Sequence, residues 1–200
     1  DRYAIALVDE FQDTDDRQWG IFQRVFGDSQ ETREAGLAPA LFLIGDPKQA
    51  IYGFRGGDIH TYLKAKRQAD AAPALDRNFR SRPAVLHAIE ALYANAGERA
   101  FLEADIAFEP VHPGSTRVDA DFVRDGVPAP GLTVRVLHNT EGGDLKADPS
   151  RQQASDACVA AIHQILSEAR QGRALLRDVP VQPGDIAVLV RSHSEATRIR

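Results

Sequence analysis

Two apolar runs, each too short for a helix and each halted by an acid, constrain this chain most. Tyr3-Ala4-Ile5-Ala6-Leu7-Val8 runs into Asp9-Glu10, and Ala40-Leu41-Phe42-Leu43-Ile44 runs into Gly45-Asp46. Short continuous apolar runs suit strands buried on both faces, as in a parallel sheet covered by helices. Between them the pattern predicts a helix over residues 14–26. Asp13 or Thr14 can cap it, Asp15 and Asp16 suit its positive end, and Gly27 can close it. Trp19, Phe22 and Phe26 share one face of that helix and read as core. Strand, helix, strand is the crossover unit of an α/β fold, whose ligands sit beyond the carboxyl ends of the strands. That rule brings Asp9-Glu10 and Asp46-Pro47-Lys48-Gln49 to one edge of one sheet.

Composition narrows the class. Hydrophobic residues make up 43% of the 200 residues and charged residues 26%, enough for a packed core and against disorder. A net charge of -5 argues against a general nucleic-acid binder, so any DNA contact must come from a local groove or from parts outside these residues. The single cysteine, Cys158, excludes an internal disulfide and fits a reducing, intracellular setting. With no apolar stretch of about 18 residues and no signal-peptide pattern, a soluble, cytoplasmic protein is expected. Methionine is absent and the chain opens on what reads as a central strand, so it reads as an internal fragment.

The second half is again α/β in pattern. Composition shifts at residues 69–73, the expected domain boundary. Ser81 is expected to cap a helix with Pro83 in its first turn and Val85, Ile89, Leu92 and Tyr93 inward. Residues 109–131 read as a long excursion and 139–150 as a polar loop. Strands are expected at 132–137 and 186–190, and a helix at 152–171 with Ala154, Cys158, Ile162, Ile165 and Ala169 on one face.

Val8-Asp9-Glu10 is the first chemical candidate. An apolar strand ending in two acids can hold Mg²⁺ and position water, or it can be a solvated strand end or helix cap. Asp9-Glu10-Phe11-Gln12-Asp13-Thr14 resembles the second motif of superfamily 1 helicases of the UvrD/Rep group. The run Ile44-Gly45-Asp46-Pro47-Lys48-Gln49-Ala50-Ile51-Tyr52-Gly53-Phe54-Arg55-Gly56-Gly57 resembles their third. Leu75-Asp76-Arg77-Asn78-Phe79-Arg80-Ser81 resembles their fourth. Three motifs in order and at this spacing are highly specific, and they cover residues 3–95 directly. The variants present, with Gly57-Asp58-Ile59-His60-Thr61-Tyr62-Leu63, are most similar to the RecB branch, the beta subunit of exodeoxyribonuclease V.

The resemblance implies a RecA-like P-loop NTPase fold on a parallel sheet. Residues 1–70 would be the end of the first motor domain, and residues 71–200 the start of the second, stopping before an insertion. It implies ATP and Mg²⁺ as cofactors, with Asp9 on the metal through its water shell and Glu10 orienting or deprotonating the attacking water. Gln49 would hydrogen-bond the γ-phosphate and that water, and Arg55 would couple the nucleotide to the DNA groove. Arg80 would be an arginine finger, since a guanidinium is always charged and grips phosphate with two donors. Phe79 stands where the family more often has a tyrosine that stacks on adenine; stacking survives without the hydroxyl. Tyr52 and Phe54, set among glycines, would stack on bases of single-stranded DNA irrespective of sequence.

Implied partners are single-stranded and duplex DNA and RecC- and RecD-like subunits, and the implied process is double-strand-break repair and recombination. Lys48 reads as an ordinary solvated lysine, and the six histidines show no metal-ligand spacing. A phosphate loop of the form G-x-x-x-x-G-K-[ST] does not occur in these residues, so the chain alone is expected not to hydrolyse ATP. Competing expectations are a non-catalytic DNA-binding or scaffolding relative, another UvrD- or AddA-type helicase, and a nucleotide-binding domain without a DNA role.

Overall fold

The structure is a computed structural model and describes residues 5–26, 40–51, 53, 56–97, 100–101, 105–139, 143 and 146–199. The first two apolar runs pair as parallel strands, β1 (Ile5–Val8) and β2 (Ala40–Leu43), in register from Ile5↔Ala40 to Val8↔Leu43. The ladder outlasts the strands: Ile44 N–H donates to the Val8 carbonyl at 2.8 Å, and Phe11 N–H to the Ile44 carbonyl at 2.9 Å. The two chain ends that carry the acids are thereby held side by side.

A 3-10 turn over Phe11–Asp13 follows β1, and α1 (Asp16–Phe26) follows it. The cap of α1 is Asp15, not Asp13 or Thr14. Asp15 Oδ1 accepts the Gln18 N–H at 2.7 Å while Gln18 Oε1 accepts the Asp15 N–H at 3.0 Å, a reciprocal capping box. The tight turn consumes Asp13, and Thr14 is buried, so the helix starts later than its acidic run suggests. Gly27, expected to close the helix, lies outside the described residues. Phe11, Trp19 and Ala65 form the core, joined by Val8, Phe22, Leu41, Leu43 and Tyr62. Phe11 and Trp19 meet edge to face with centroids 5.4 Å apart. Ala65 and Tyr62 come from α2 (Ile59–Gln68), whose cap Asp58 accepts the His60 N–H at 3.0 Å.

The chain divides into two compact units, Asp1–Ala74 with Ala96–Glu109, and Leu75–Asn95 with Pro110–Arg200. In the second unit β3 (Arg77–Asn78) pairs in parallel with β4 (His112–Pro113). Between them lies α3 (Pro83–Ala94), whose start departs from expectation. Ser81 does not cap it; instead Asp119 Oδ1, from far along the chain, accepts the Ala84 N–H at 2.8 Å. The residue at the cap position is Arg82, one place after Ser81, whose N–H donates to Asn78 Oδ1 at 2.8 Å in the preceding turn. Leu86 is the buried residue of α3, whereas Ile89 and Leu92 are exposed.

The excursion over 109–131 is ordered. β5 (Phe122–Arg124), β6 (Val127–Pro128), β7 (Ala174–Leu176) and β8 (Val179–Pro180) form an antiparallel sheet in the order β6-β5-β7-β8. Both hairpins turn on two residues of positive φ, Asp125 (52°) with Gly126 (78°) and Arg177 (50°) with Asp178 (64°), as type I′ turns demand. α4 (Ala147–Arg170) begins inside the expected polar loop and packs Ala169 and Ile165 on this sheet. Arg124 ties sheet to helix through Glu168, Nε to Oε2 at 2.7 Å and Nη2 to Oε1 at 2.8 Å. The last helix is α5 (His193–Ile199).

The expected strands at 132–137 and 186–190 do not form: among the described residues neither segment joins a sheet. Val134, Val136 and Leu189 are exposed, the last at 99%. β-propensity supplies side chains for a strand, but a strand also needs a neighbour to take its N–H and C=O groups.

Candidate functional site

The carboxyl ends of β1 and β2 carry the candidate chemistry. Asp9 and Glu10 are both exposed, and Glu10 sits in the left-handed region, φ 51° and ψ 40°, which costs a non-glycine residue about 1–2 kcal/mol. Two contacts hold it there. Asp9 Oδ1 accepts the Glu10 N–H at 2.9 Å, and Gln12 Nε2 donates to Glu10 Oε2 at 2.6 Å.

The neighbouring loop is built around Asp46. A 3-10 turn, Pro47–Gln49, starts on it, and Asp46 Oδ1 accepts the Lys48 N–H at 3.0 Å. Lys48 Nζ lies 2.8 Å from the same oxygen, and Gln49 Nε2 donates to Oδ2 at 3.2 Å. Burial pushes the Asp46 carboxyl up, but the hydrogen bonds of Lys48 and Gln49 and the Lys48 charge outweigh it and hold the pKa below its ordinary value. Lys48, expected to be an ordinary solvated lysine, is therefore part of the loop's charge balance. Tyr62 Oη donates to the Gly45 carbonyl at 3.3 Å; burial, then the Asp46 charge, hold its phenol above the usual range.

The two loops are joined by Gln12, to which the sequence reading gave no role. Its Oε1 accepts the Asp46 N–H at 3.1 Å while its Nε2 holds Glu10. Gly45 makes room for this: a Cβ there would stand 2.7 Å from Gln12 Oε1.

Asp9, Glu10 and Gln49 thus share one edge of the first unit. In the second unit, Phe79 and Arg80 follow β3 on a turn in which Asn78 Oδ1 accepts the N–H of Arg80 at 2.9 Å. Thr116 Oγ1 donates to the Phe79 carbonyl at 3.0 Å. The Phe79 ring lies on Gly114, where a Cβ would overlap it, and Phe79 as a residue remains 53% exposed. Arg80 is exposed beside it. Tyr52, Phe54 and Arg55 lie outside the described residues.

Asp9 offers a hard oxygen donor at a strand end, which suits Mg²⁺. Among the described residues no three His, Cys, Asp or Glu side chains cluster as a metal cage would. No helix among the described residues is long and apolar enough to cross a membrane.

Acid-tipped parallel strands beside a loop of polar amides define a class, and the comparisons name it. Residues 1–70 match the UvrD/REP helicase N-terminal domain. The chain's particular likeness is to RecB. The whole chain aligns with the RecBCD enzyme subunit RecB of Escherichia coli strain K12 at 37% identity over 203 residues. The corresponding RecB of Mycobacterium tuberculosis is 38% identical over 207 residues, and that of Haemophilus influenzae 31% over 203. The chain spans 16%, 17% and 16% of the lengths of these relatives, respectively.

Proposed function

We propose that this chain is part of an ATP-dependent motor that translocates on single-stranded DNA and separates strands, in the repair and recombination of double-strand breaks. The observation that carries this reading is the pairing of Glu10 with the Asp46–Gln49 loop at the carboxyl ends of two adjacent parallel strands. That edge is where α/β sheets bind ligands, and its residues match helicase motifs. The RecA-like architecture, with residues 1–70 in one motor domain and 71–200 in the next, belongs to the same proposal.

In this reading Asp9 would hold Mg²⁺ through water, and Glu10 would orient or deprotonate the attacking water. The ion with ATP would supply electrostatic neutralisation of the phosphates. Gln49 would leave Asp46 to hydrogen-bond the γ-phosphate, Phe79 would stack on adenine, and Arg80 would offer its fork to phosphate. Arg55 links the nucleotide to the DNA groove, where Tyr52 and Phe54 stack on bases. The relatives are named as a subunit of the RecBCD enzyme; RecC- and RecD-like subunits are the proposed partners here.

The test is ATP hydrolysis by the full-length polypeptide that carries this chain, with and without single-stranded DNA, beside its Glu10→Gln variant. DNA-stimulated turnover is expected, falling roughly 10²–10⁴-fold in the variant as for loss of a general base. Undiminished turnover in the variant refutes the assignment of Glu10. The 200-residue chain alone, lacking a phosphate loop, is expected to show no turnover.

A further inference from the structure

We infer that Gln12 is the positioning residue that aims Glu10 and makes its aim depend on the Asp46–Gln49 loop; this rests on the proposed role of Glu10. Gln12 is only 2% exposed, though it lies in a run of polar residues. Both ends of its amide are used, Nε2 on Glu10 Oε2 at 2.6 Å and Oε1 on the Asp46 N–H at 3.1 Å. Asp46 in turn receives Gln49 Nε2 at 3.2 Å. Donors therefore run in one direction, from Gln49 to Asp46, from the Asp46 backbone to Gln12, and from Gln12 to Glu10.

Only a side chain with a donor and an acceptor on one rigid plane satisfies both neighbours, and glutamine has the reach. A carboxylate at position 12 would accept from Asp46 but face Glu10 with no proton to give. Glu10 is exposed, so without this anchor its carboxylate would spread over several rotamers and lose its aim. Gly45 completes the device, because any Cβ there would push Gln12 Oε1 from its place. Gln12 touches neither nucleotide nor DNA in this scheme; it acts through Glu10.

The experiment compares Gln12→Met, Gln12→Glu and Glu10→Gln in the full-length polypeptide, measuring kcat and KM for ATP with single-stranded DNA. Gln12→Met keeps the volume but loses both hydrogen bonds. It is expected to lower kcat roughly 10–100-fold, the scale of a 1 Å misplacement, with KM for ATP little changed. Gln12→Glu keeps the acceptor for the Asp46 N–H but loses the donor to Glu10, so it too is expected to lower kcat with KM for ATP little changed. A role in folding alone would lower the yield of active enzyme and leave kcat per active site unchanged. If Glu10→Gln is inactive while both Gln12 variants keep the parental kcat, the inference fails and the proposed function stands. If Glu10→Gln stays active, the proposed function fails first. Should Gln12→Met not fold, a parental kcat in the isosteric Gln12→Glu overturns the inference by itself.

Discussion

Replacing Arg124 by methionine tests how the second unit is held together. Arg124 grips Glu168 with two parallel bonds of 2.7 and 2.8 Å, and Glu168 is only 5% exposed. The substitution removes both bonds but keeps most of the stem's volume, leaving a buried carboxylate with Gln164 Nε2 at 2.9 Å as its remaining side-chain donor. Stranding a buried charge costs about 3–5 kcal/mol, and the surviving Gln164 bond argues for the lower end, about 3 kcal/mol. With a urea slope of about 1–3 kcal/mol/M, the unfolding midpoint falls by roughly 1–3 M. Far-UV circular dichroism suits the measurement, since α4, at 24 residues, carries much of the helical signal.

The pH dependence gives an independent check. The Arg124 hydrogen bond, against the opposing effect of burial, holds the Glu168 carboxyl below its ordinary value. Its stabilisation is therefore present above the unfolded glutamate pKa and lost as pH falls through the lower folded value. In Arg124→Met that stabilisation is lost, and burial is opposed only by the Gln164 hydrogen bond and the Arg173 charge. The penalty is then full at neutral pH and shrinks as acid protonates Glu168. The gap between parent and variant should thus narrow on acidification. Pairing Arg124→Met with Glu168→Leu should recover most of the loss, since a buried ion pair replaced by apolar groups of similar volume is often neutral. A loss below about 1 kcal/mol at neutral pH, unchanged by acid, would refute the reasoning.

Two further outcomes follow from steric and capping contacts. Gly45→Ala sets a Cβ 2.7 Å from Gln12 Oε1 and 3.2 Å from two backbone nitrogens. It should cost about 1–3 kcal/mol and slow ATP turnover in the full-length polypeptide; parental stability and rate would show that the loop yields. Asp119→Ala removes the acceptor of the Ala84 N–H and should cost about 0.5–2 kcal/mol. Hydrogen exchange should then quicken in the first turn of α3, and unchanged protection there would show that Asp119 is not its cap.

The parts of the fold that were legible in the sequence are those fixed by local patterns. β1 and β2 form where the continuous apolar runs predict, but not buried on both faces: Ile5, Leu7 and Phe42 are exposed. α1 forms where Trp19 and Phe22 repeat at helical spacing. Asp125-Gly126 was also readable, being a strong short-range hairpin signal, but it lay in a stretch taken for an excursion. The cap of α3 was not readable. Its acceptor is Asp119, brought there by tertiary structure, while Ser81 looked right by position and is held by Asn78 instead. Residues 132–137 and 186–190 show the converse. Their apolar content is that of strands, yet pairing depends on a neighbour that no local pattern supplies.

The candidate site divides along the same line. Asp9, Glu10 and Gln49 could be brought to one edge from sequence, because strand ends in a parallel sheet converge whatever the detailed packing. Gln12 could not. It sits among Phe11, Asp13 and Thr14 with no periodicity to mark it as buried, and the Asp46 N–H that donates to it lies on a loop that only the β1–β2 register delivers. Its partner in design is a residue without a side chain, Gly45, whose importance is the space it leaves. A strand-end acid can be found by its chemistry, whereas the group that aims it is found by asking which buried amide has both ends satisfied. Among the described residues that question leads to Gln12, which joins the Glu10 turn and the Asp46–Gln49 loop into a single hydrogen-bonded unit.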